Sequence, residues 1–246
     1  MSRRILITGS STGIGAATAI RFAEPGATVS VHFNTSRERA KQVAAEVARK
    51  GARAILLQGD VSQPAPCEQI VETFTREAGG LDALVNNAGA LVRRSLVENI
   101  EWEVLEQVFR VNVFSAFYVT KCALPHLKKG NAPCIVNLGS IAARHGAPTA
   151  TPYGAAKAAL HAFTRGLAKE VAPHVRVNAV APGVIATPFH EKMSTPEMMK
   201  NWADGAPLKR NGTPQDVAEA IYYLCSPAAS FITGETLDIN GGLFMR

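Results

Sequence analysis

"RILITGSSTGIG", Arg4 to Gly15, decides the fold. A short apolar run ending at Ile7 meets three glycines, Gly9, Gly13 and Gly15, and the helix-like "IGAATAIRFAE" follows at once. Glycine permits a tight turn after a strand and lets backbone N–H groups and the positive end of a helix approach a pyrophosphate with no Cβ in the way. The spacing is GxxxGxG, not the commoner GxGxxG, but the physics is shared. Gly9, Ser11, Thr12, Gly13, Ile14 and Gly15 are therefore candidate cofactor-binding residues, with an ordinary glycine-rich turn as the alternative.

Outward from this stretch, short apolar runs keep alternating with longer amphipathic ones. "ATVSVHF" precedes "SRERAKQVAAEVARK", "ARAILLQ" precedes "PCEQIVETFTREA", and "LDALVNN" precedes one long helical region from Glu101 to Lys129. "PCIVNLGS", "PYGAAKAALHAFTRGLAKEV", "VRVNAVAPG", a helical region from about 188 to 225 and "TLDIN" complete the series. Near-continuous apolar strands separated by helices imply an α/β fold, a parallel sheet covered on both faces by right-handed crossovers. Ligands in such sheets sit beyond the carboxyl ends of the strands. No linker or charge block divides the chain, so a single domain over 1–246 is expected.

An acidic residue at the end of the second strand usually holds the adenosine ribose hydroxyls of a dinucleotide. Here that stretch reads Asn34, Thr35, Ser36, Arg37, with no acid before Glu38. A carboxylate would repel a ribose 2′-phosphate, whereas a guanidinium can hold it bidentately. NADP(H) is expected over NAD(H), unless Arg37 merely begins a solvated helix. Asp60 and Val61 after the third strand, and Asn87, Ala88 and Gly89 in "NNAG" after the fourth, add further candidate contacts, although Asn and Asp at strand ends are often plain turn residues.

Composition narrows the partners. Lys and Arg exceed Asp and Glu by 26 − 20 = 6. These basic residues are scattered through helical segments, a pattern that disfavours nucleic acid. The four cysteines form no CxxC pair and the six histidines no metal-ligand spacing, so no metal is expected and a reducing, cytoplasmic home fits. The apolar run near the start is too short for a secretory signal, and none spans a bilayer.

Taken in order, TGxxxGxG, NNAG, Asn, Ser, YxxxK and PG resemble the motifs of the short-chain dehydrogenase/reductase family, most closely its 3-oxoacyl-(acyl-carrier-protein) reductase type. The resemblance implies a Rossmann-type, doubly wound domain with a seven-stranded parallel sheet, commonly assembled as a homotetramer. It carries the catalytic tetrad onto Asn112, Ser140, Tyr153 and Lys157, and the nicotinamide-side contacts onto Pro182, Gly183, Ile185 and Thr187. Two departures stand out. Thr12 replaces an Arg found in some NADP-dependent relatives, and Pro25 is expected to shorten the first helix.

Tyr153 and Lys157 are four apart on one helix face, in the opening turns if Thr149 or Thr151 caps the helix ahead of Pro152. A nearby ammonium, a helix N-terminus and an oxidised nicotinamide all favour phenolate, so the phenol is expected to be acidified by these contributions together. The resemblance implies that Tyr153 is the general acid or base, that Ser140 polarises the carbonyl, that Lys157 tunes the phenol and holds ribose hydroxyls, and that Asn112 anchors a water. Small residues around Lys157 allow close approach of a cofactor or helix. The substrate, a small carbonyl or alcohol with or without an acyl carrier, is expected between the loops Leu91–Ser95, Ala142–Pro148 and 187–206. Arg144 and His145 are candidates for an anionic substrate, and Lys128 and Lys129 for an acidic carrier. A sugar, polyol, steroid or xenobiotic carbonyl is the rival substrate, and a nucleotide-sensing protein the rival class.

Overall fold

The computed structural model describes residues 3–245; Met1, Ser2 and Arg246 of the expected 1–246 range lie outside the described residues. The chain runs β1 (Arg4–Ile7), α1 (Gly13–Arg21), β2 (Thr28–Phe33), α2 (Arg37–Arg49), β3 (Arg53–Gln58), α3 (Pro64–Ala78), β4 (Ala83–Asn86), α4 (Trp102–Phe109), α5 (Ser115–Leu127), β5 (Cys134–Leu138) and α6 (Ala142–His145). It continues through α7 (Thr151–Val171), β6 (Arg176–Pro182), α8 (Pro188–Met193), α9 (Pro196–Gly205), α10 (Pro214–Cys225) and β7 (Thr236–Ile239). The seven strands form one parallel sheet in the order β3-β2-β1-β4-β5-β6-β7.

Successive strand residues point to opposite faces, and both faces are buried. Ile5, Ile7, Val85 and Val136 pack with Ala19 of α1, Val47 of α2 and Ile221 of α10 on one face. Leu6, Leu84 and Ile135 pack with Phe74 of α3, Val119 of α5 and Leu167 of α7 on the other. Strand order reverses between β1 and β4, whose following helices cover opposite faces, so a crevice opens above their carboxyl ends.

Several boundaries differ from the sequence expectation. Helix α1 stops at Arg21, short of Pro25, because a proline ring and its missing N–H forbid a continuing helix. The single helix expected from 101 to 129 is broken: α4 and α5 are joined by a π turn over Arg110–Phe114. The region 188–225 divides into three helices, each opening on a proline in its first turn. Neither threonine caps α7. Thr151 is already helical, and Thr149 adopts a left-handed backbone with φ 63°.

Two polar clusters pin the sheet internally. Asn86 Nδ2 donates to Asn137 Oδ1 (2.8 Å) and Thr120 Oγ1 (2.9 Å), and Asn137 Nδ2 donates to Thr164 Oγ1 (2.9 Å), tying β4, β5, α5 and α7 together. At the opposite sheet end, the buried Asp82 carboxylate accepts from Arg4 Nη2 (2.6 Å), Nε and N, and from Asn131 N. Burial alone would raise this carboxyl, but the hydrogen bonds from Arg4 and Asn131 outweigh it and hold the group below its ordinary range. No helix among the described residues is long and apolar enough to cross a membrane.

Asp82→Asn should cost about 2–3 kcal/mol in urea unfolding, because the guanidinium is left facing a neutral, partly mismatched amide. The carboxyl is depressed in the folded state, so its contribution is present above the ordinary carboxylate range and is lost as pH falls through the folded value. The difference between wild type and variant should therefore shrink as pH falls below the ordinary carboxylate range.

Candidate active site

The loop between β1 and α1 is shaped by close contacts that leave no room for side chains in its turn. A Cβ on Gly15 would overlap the Gly9 carbonyl oxygen and approach Asn87 Nδ2 to 2.5 Å, and Gly9 and Gly13 take φ of +63° and +56°. Both are conformations a side chain disfavours. No side chain caps α1, whose N-terminal N–H groups thus face the crevice. Thr8 Oγ1 accepts from Asn87 N and Ala88 N (both 3.0 Å), and Asn87 Nδ2 donates to the carbonyls of Thr8 (2.8 Å) and Gly9 (3.0 Å). The loops after β1 and β4 are thereby fastened together as one floor.

His32, near the end of β2, completes this floor and was not singled out from the sequence. Its Nδ1 accepts from Gly9 N (2.8 Å), so the proton sits on Nε2 and points to the Gly59 carbonyl (3.1 Å). One neutral tautomer thus bridges the ends of three strands. The available signal was a polar residue in an otherwise apolar strand end beside the glycines.

Across the crevice, β5 ends at Leu138 and Ser140 lies just beyond it. Tyr153, in the first turn of α7, lines the same cleft as Ser140. Lys157 is 2% exposed, donates from Nζ to the Leu138 carbonyl (2.7 Å), and lies 5.5 Å from the Tyr153 ring. Gly154 permits α7 to lie close to α6, since a Cβ there would stand 3.1 Å from the Ala142 carbonyl. The π turn supplies the fourth candidate: Asn112 Nδ2 donates to the carbonyls of Ala90 (2.7 Å) and Val108 (2.8 Å). Its Oδ1 is buried without a protein partner. A Cβ on Gly89 would lie 2.6 Å from that oxygen and 3.1 Å from Lys157 Nζ, so amide and amine converge on one spot.

Electrostatics departs from expectation. Tyr153 is half-buried, and burial pushes the phenol up to about 12, the nearby Ser140 hydroxyl only partly opposing this. Burial likewise pushes the Lys157 amine down to about 7. In this interior desolvation favours the uncharged form of each group, so the Lys157 amine by itself does not supply the acidified phenol expected from the YxxxK spacing.

These residues line a single cleft of about 320 Å³. It gathers Gly9, Ser11, Thr12, Gly13, Ile14, Gly15, Asn34, Asp60, Val61, Asn87, Ala88, Gly89, Ser140, Tyr153, Lys157, Pro182, Gly183, Ile185 and Thr187. Asn112 lies behind this lining. Thr35, Ser36 and Arg37 stand past it, with Ser36 Oγ joined to Ser11 Oγ (2.8 Å) and Arg37 donating to Gln58 Oε1 (2.7 Å). Pro188, Phe189 and His190 of α8, within the 187–206 region expected to face the substrate, form one wall of this cleft. Among the described residues no group of three His, Cys, Asp or Glu side chains could hold a metal.

Four candidates for substrate or carrier contacts are otherwise engaged or misplaced. Arg144 pairs with Asp238 of β7, and His145 packs on Phe244. Lys128 and Lys129 follow α5 at the amino-terminal edge of the sheet, where Lys129 shares a surface hollow with Arg4 and Leu81, far from the strands' carboxyl ends.

The chain matches the family model described as enoyl-(acyl carrier protein) reductase over residues 9–244. It is 39% identical over 241 residues to the 3-oxoacyl-(acyl-carrier-protein) reductase FabG of Aquifex aeolicus, covering 97% of this chain and 96% of that one. Among solved structures it is similar to an NADH-dependent reductase of alginate metabolism, A1-R′ (TM-score 0.90, 35% identity, covering 100% and 98% of the two chains). A short-chain dehydrogenase of Burkholderia cenocepacia J2315 in complex with NADP is equally similar (TM-score 0.91, 33% identity, 98% and 97%).

His32, His161 and His190 are each pushed by burial to about 4, below the usual 6.5. Their folded forms refuse protons that the unfolded chain accepts, so stability should be full above pH 6.5 and fall as pH drops toward 4. Urea midpoints across that window should show the decline. His32→Leu should flatten it while costing about 1–3 kcal/mol at pH 8, since Gly9 N and the Gly59 carbonyl lose their partner.

Proposed function

Because the chain belongs to the short-chain dehydrogenase/reductase family, we propose that it transfers hydride between NADP(H) and a carbonyl or secondary-alcohol carbon through Asn112, Ser140, Tyr153 and Lys157. Membership makes the chain an oxidoreductase with a site for a nicotinamide cofactor. Cofactor preference, residue roles and substrate class are our reading. The observation that carries it is that Tyr153, Ser140 and the buried Lys157 amine line one cleft with the uncapped end of α1.

The residues fit a dinucleotide. The glycine loop leaves the space a Cβ would fill, and the α1 N–H groups suit a pyrophosphate. When bound, the nicotinamide supplies the hydride. Ser140 donates a hydrogen bond to the carbonyl oxygen, favouring the charge that develops there. A phenol held near 12 is fully protonated at neutral pH, the form required of a general acid, and Tyr153 gives its proton to that oxygen. Lys157, poised near 7, exchanges protons at physiological pH and returns one to Tyr153. Asn112 Oδ1, lacking a protein donor and converging on Lys157, anchors the water through which that proton arrives. In the oxidising direction Tyr153 serves as base.

Preference for NADP(H) rests on the absence of an acid at the end of β2 and on Arg37, which can exchange Gln58 for a ribose 2′-phosphate. Solved neighbours include both an NADH-dependent enzyme and an NADP complex. Similarity to a 3-oxoacyl-(acyl-carrier-protein) reductase supports a 3-oxoacyl thioester as one substrate class, and a small oxygenated carbonyl compound is the other. Assembly as a homotetramer is supported by exposed apolar side chains along α4 and α5, among them Trp102, Phe117 and Tyr118.

Purified protein with NADPH or NADH, assayed against ketones, aldehydes and 3-oxoacyl thioesters, tests cofactor and substrate together; absence of turnover and of dinucleotide binding would sink the reading. Tyr153→Phe should lower kcat by about a thousandfold or more, with NADPH affinity within about threefold of wild type. Arg37→Ala should weaken NADPH binding about tenfold by fluorescence titration and leave NADH within about twofold, the expected loss of one charge-assisted contact.

A further inference from the structure

We infer that His190 of α8 determines substrate specificity, donating or accepting a hydrogen bond at an oxygen substituent, a hydroxyl or second carbonyl, close to the reacting carbonyl. The inference rests on the oxidoreductase reading and narrows its substrate to small oxygenated carbonyl compounds. Phe189 and His190 line the same cleft as Ser140 and Tyr153, and the Phe189 ring lies 5.8 Å from the Tyr153 ring. His190 is thus one residue beyond a side chain in ring contact with the proposed acid.

Its ring is held on two sides. Nδ1 hydrogen-bonds Ser194 Oγ (2.9 Å), and Trp202 of α9 packs edge-on with centroids 5.7 Å apart. Nε2 has no protein partner among the described residues. The partner at Nδ1 is a hydroxyl, which can donate or accept, so the tautomer is not fixed as it is for His32. If Ser194 donates to Nδ1, Nε2–H is a donor for a carbonyl oxygen; if Nδ1–H donates to Ser194, Nε2 accepts from a hydroxyl. Burial, with Arg94 nearby, keeps the ring neutral at physiological pH, so recognition is by hydrogen bond and not by charge. Arg94 itself is spent on structure, donating from Nε to the Met193 carbonyl (2.7 Å) and from Nη1 to Thr149 Oγ1 (3.4 Å). It therefore fastens the end of α8 to the start of α7 and fixes the distance from His190 to Tyr153.

Two near-isosteric substitutions separate the roles of the two ring nitrogens. Asparagine places a polar atom where Nδ1 was and nothing at Nε2; glutamine reaches the Nε2 position. With full-length protein and its preferred dinucleotide, His190→Asn should lower kcat/KM for 3-hydroxybutan-2-one about ten- to a hundredfold and leave butan-2-one within about threefold. His190→Gln should keep the hydroxyketone within about threefold of wild type. A parallel loss on both ketones, or no loss on either, overturns the inference. A second readout does not depend on turnover: in a Trp102→Phe, Tyr153→Phe background, Trp202 reports on its neighbour His190. Titrating 3-hydroxybutan-2-one onto the dinucleotide-loaded protein should give a saturable fluorescence change that butan-2-one does not give and His190→Asn abolishes. If no carbonyl is turned over, the oxidoreductase reading fails on its own; if this signal is absent as well, the role of His190 falls with it.

Discussion

A single buried hydrogen bond, from Lys157 Nζ to the carbonyl of Leu138, organises the site. An amine with 2% exposure is tolerated only with a partner, and this one ties the middle of α7 to the end of β5. Ser140 follows Leu138 by two residues and Tyr153 precedes Lys157 by four, so one bond brings hydroxyl and phenol into register. The far half of α7 is anchored by Leu167, Ala168 and Val171 in the core beneath the sheet. Preorganisation here is a matter of packing, and the reactive groups inherit it.

The same burial that positions these groups also sets their protonation. Both Tyr153 and Lys157 are pushed toward neutrality, the phenol up and the amine down. Charge separation between them therefore requires help from a bound partner or from the convergence of Asn112 and Lys157 at Gly89. The chain alone holds the pair in the state from which a proton is given, not taken.

Much of this was legible in the sequence because local pattern and global fold agree. Near-continuous burial in β1, β4 and β5, glycines at a strand-to-helix turn, and Tyr153 four residues from Lys157 each leave a direct mark. What was hidden depends on partners distant in sequence or on geometry without a compositional signature. Arg144 was a plausible substrate contact until Asp238, 94 positions away, claimed it. His32 and His190 acquire roles only when Gly9, Gly59, Ser194 and Trp202 assemble around them. Thr149 looked like a cap, but its left-handed backbone and its bond from Arg94 give it a different task. Lys128 and Lys129 could be judged only once the sheet showed which of its ends carries the cleft.

The widened turn at Arg110–Phe114 stores its information in a residue count. An α-helix advances about 100° per residue, so shortening this segment by one would restore a regular spiral while turning everything on one side of it by that angle. Asn112 would swing away from Lys157, or α5 would lose the face that Val119 and Ala123 press into the core. Chemistry and packing thus make incompatible angular demands on a single rod, and one surplus peptide unit lets both be met.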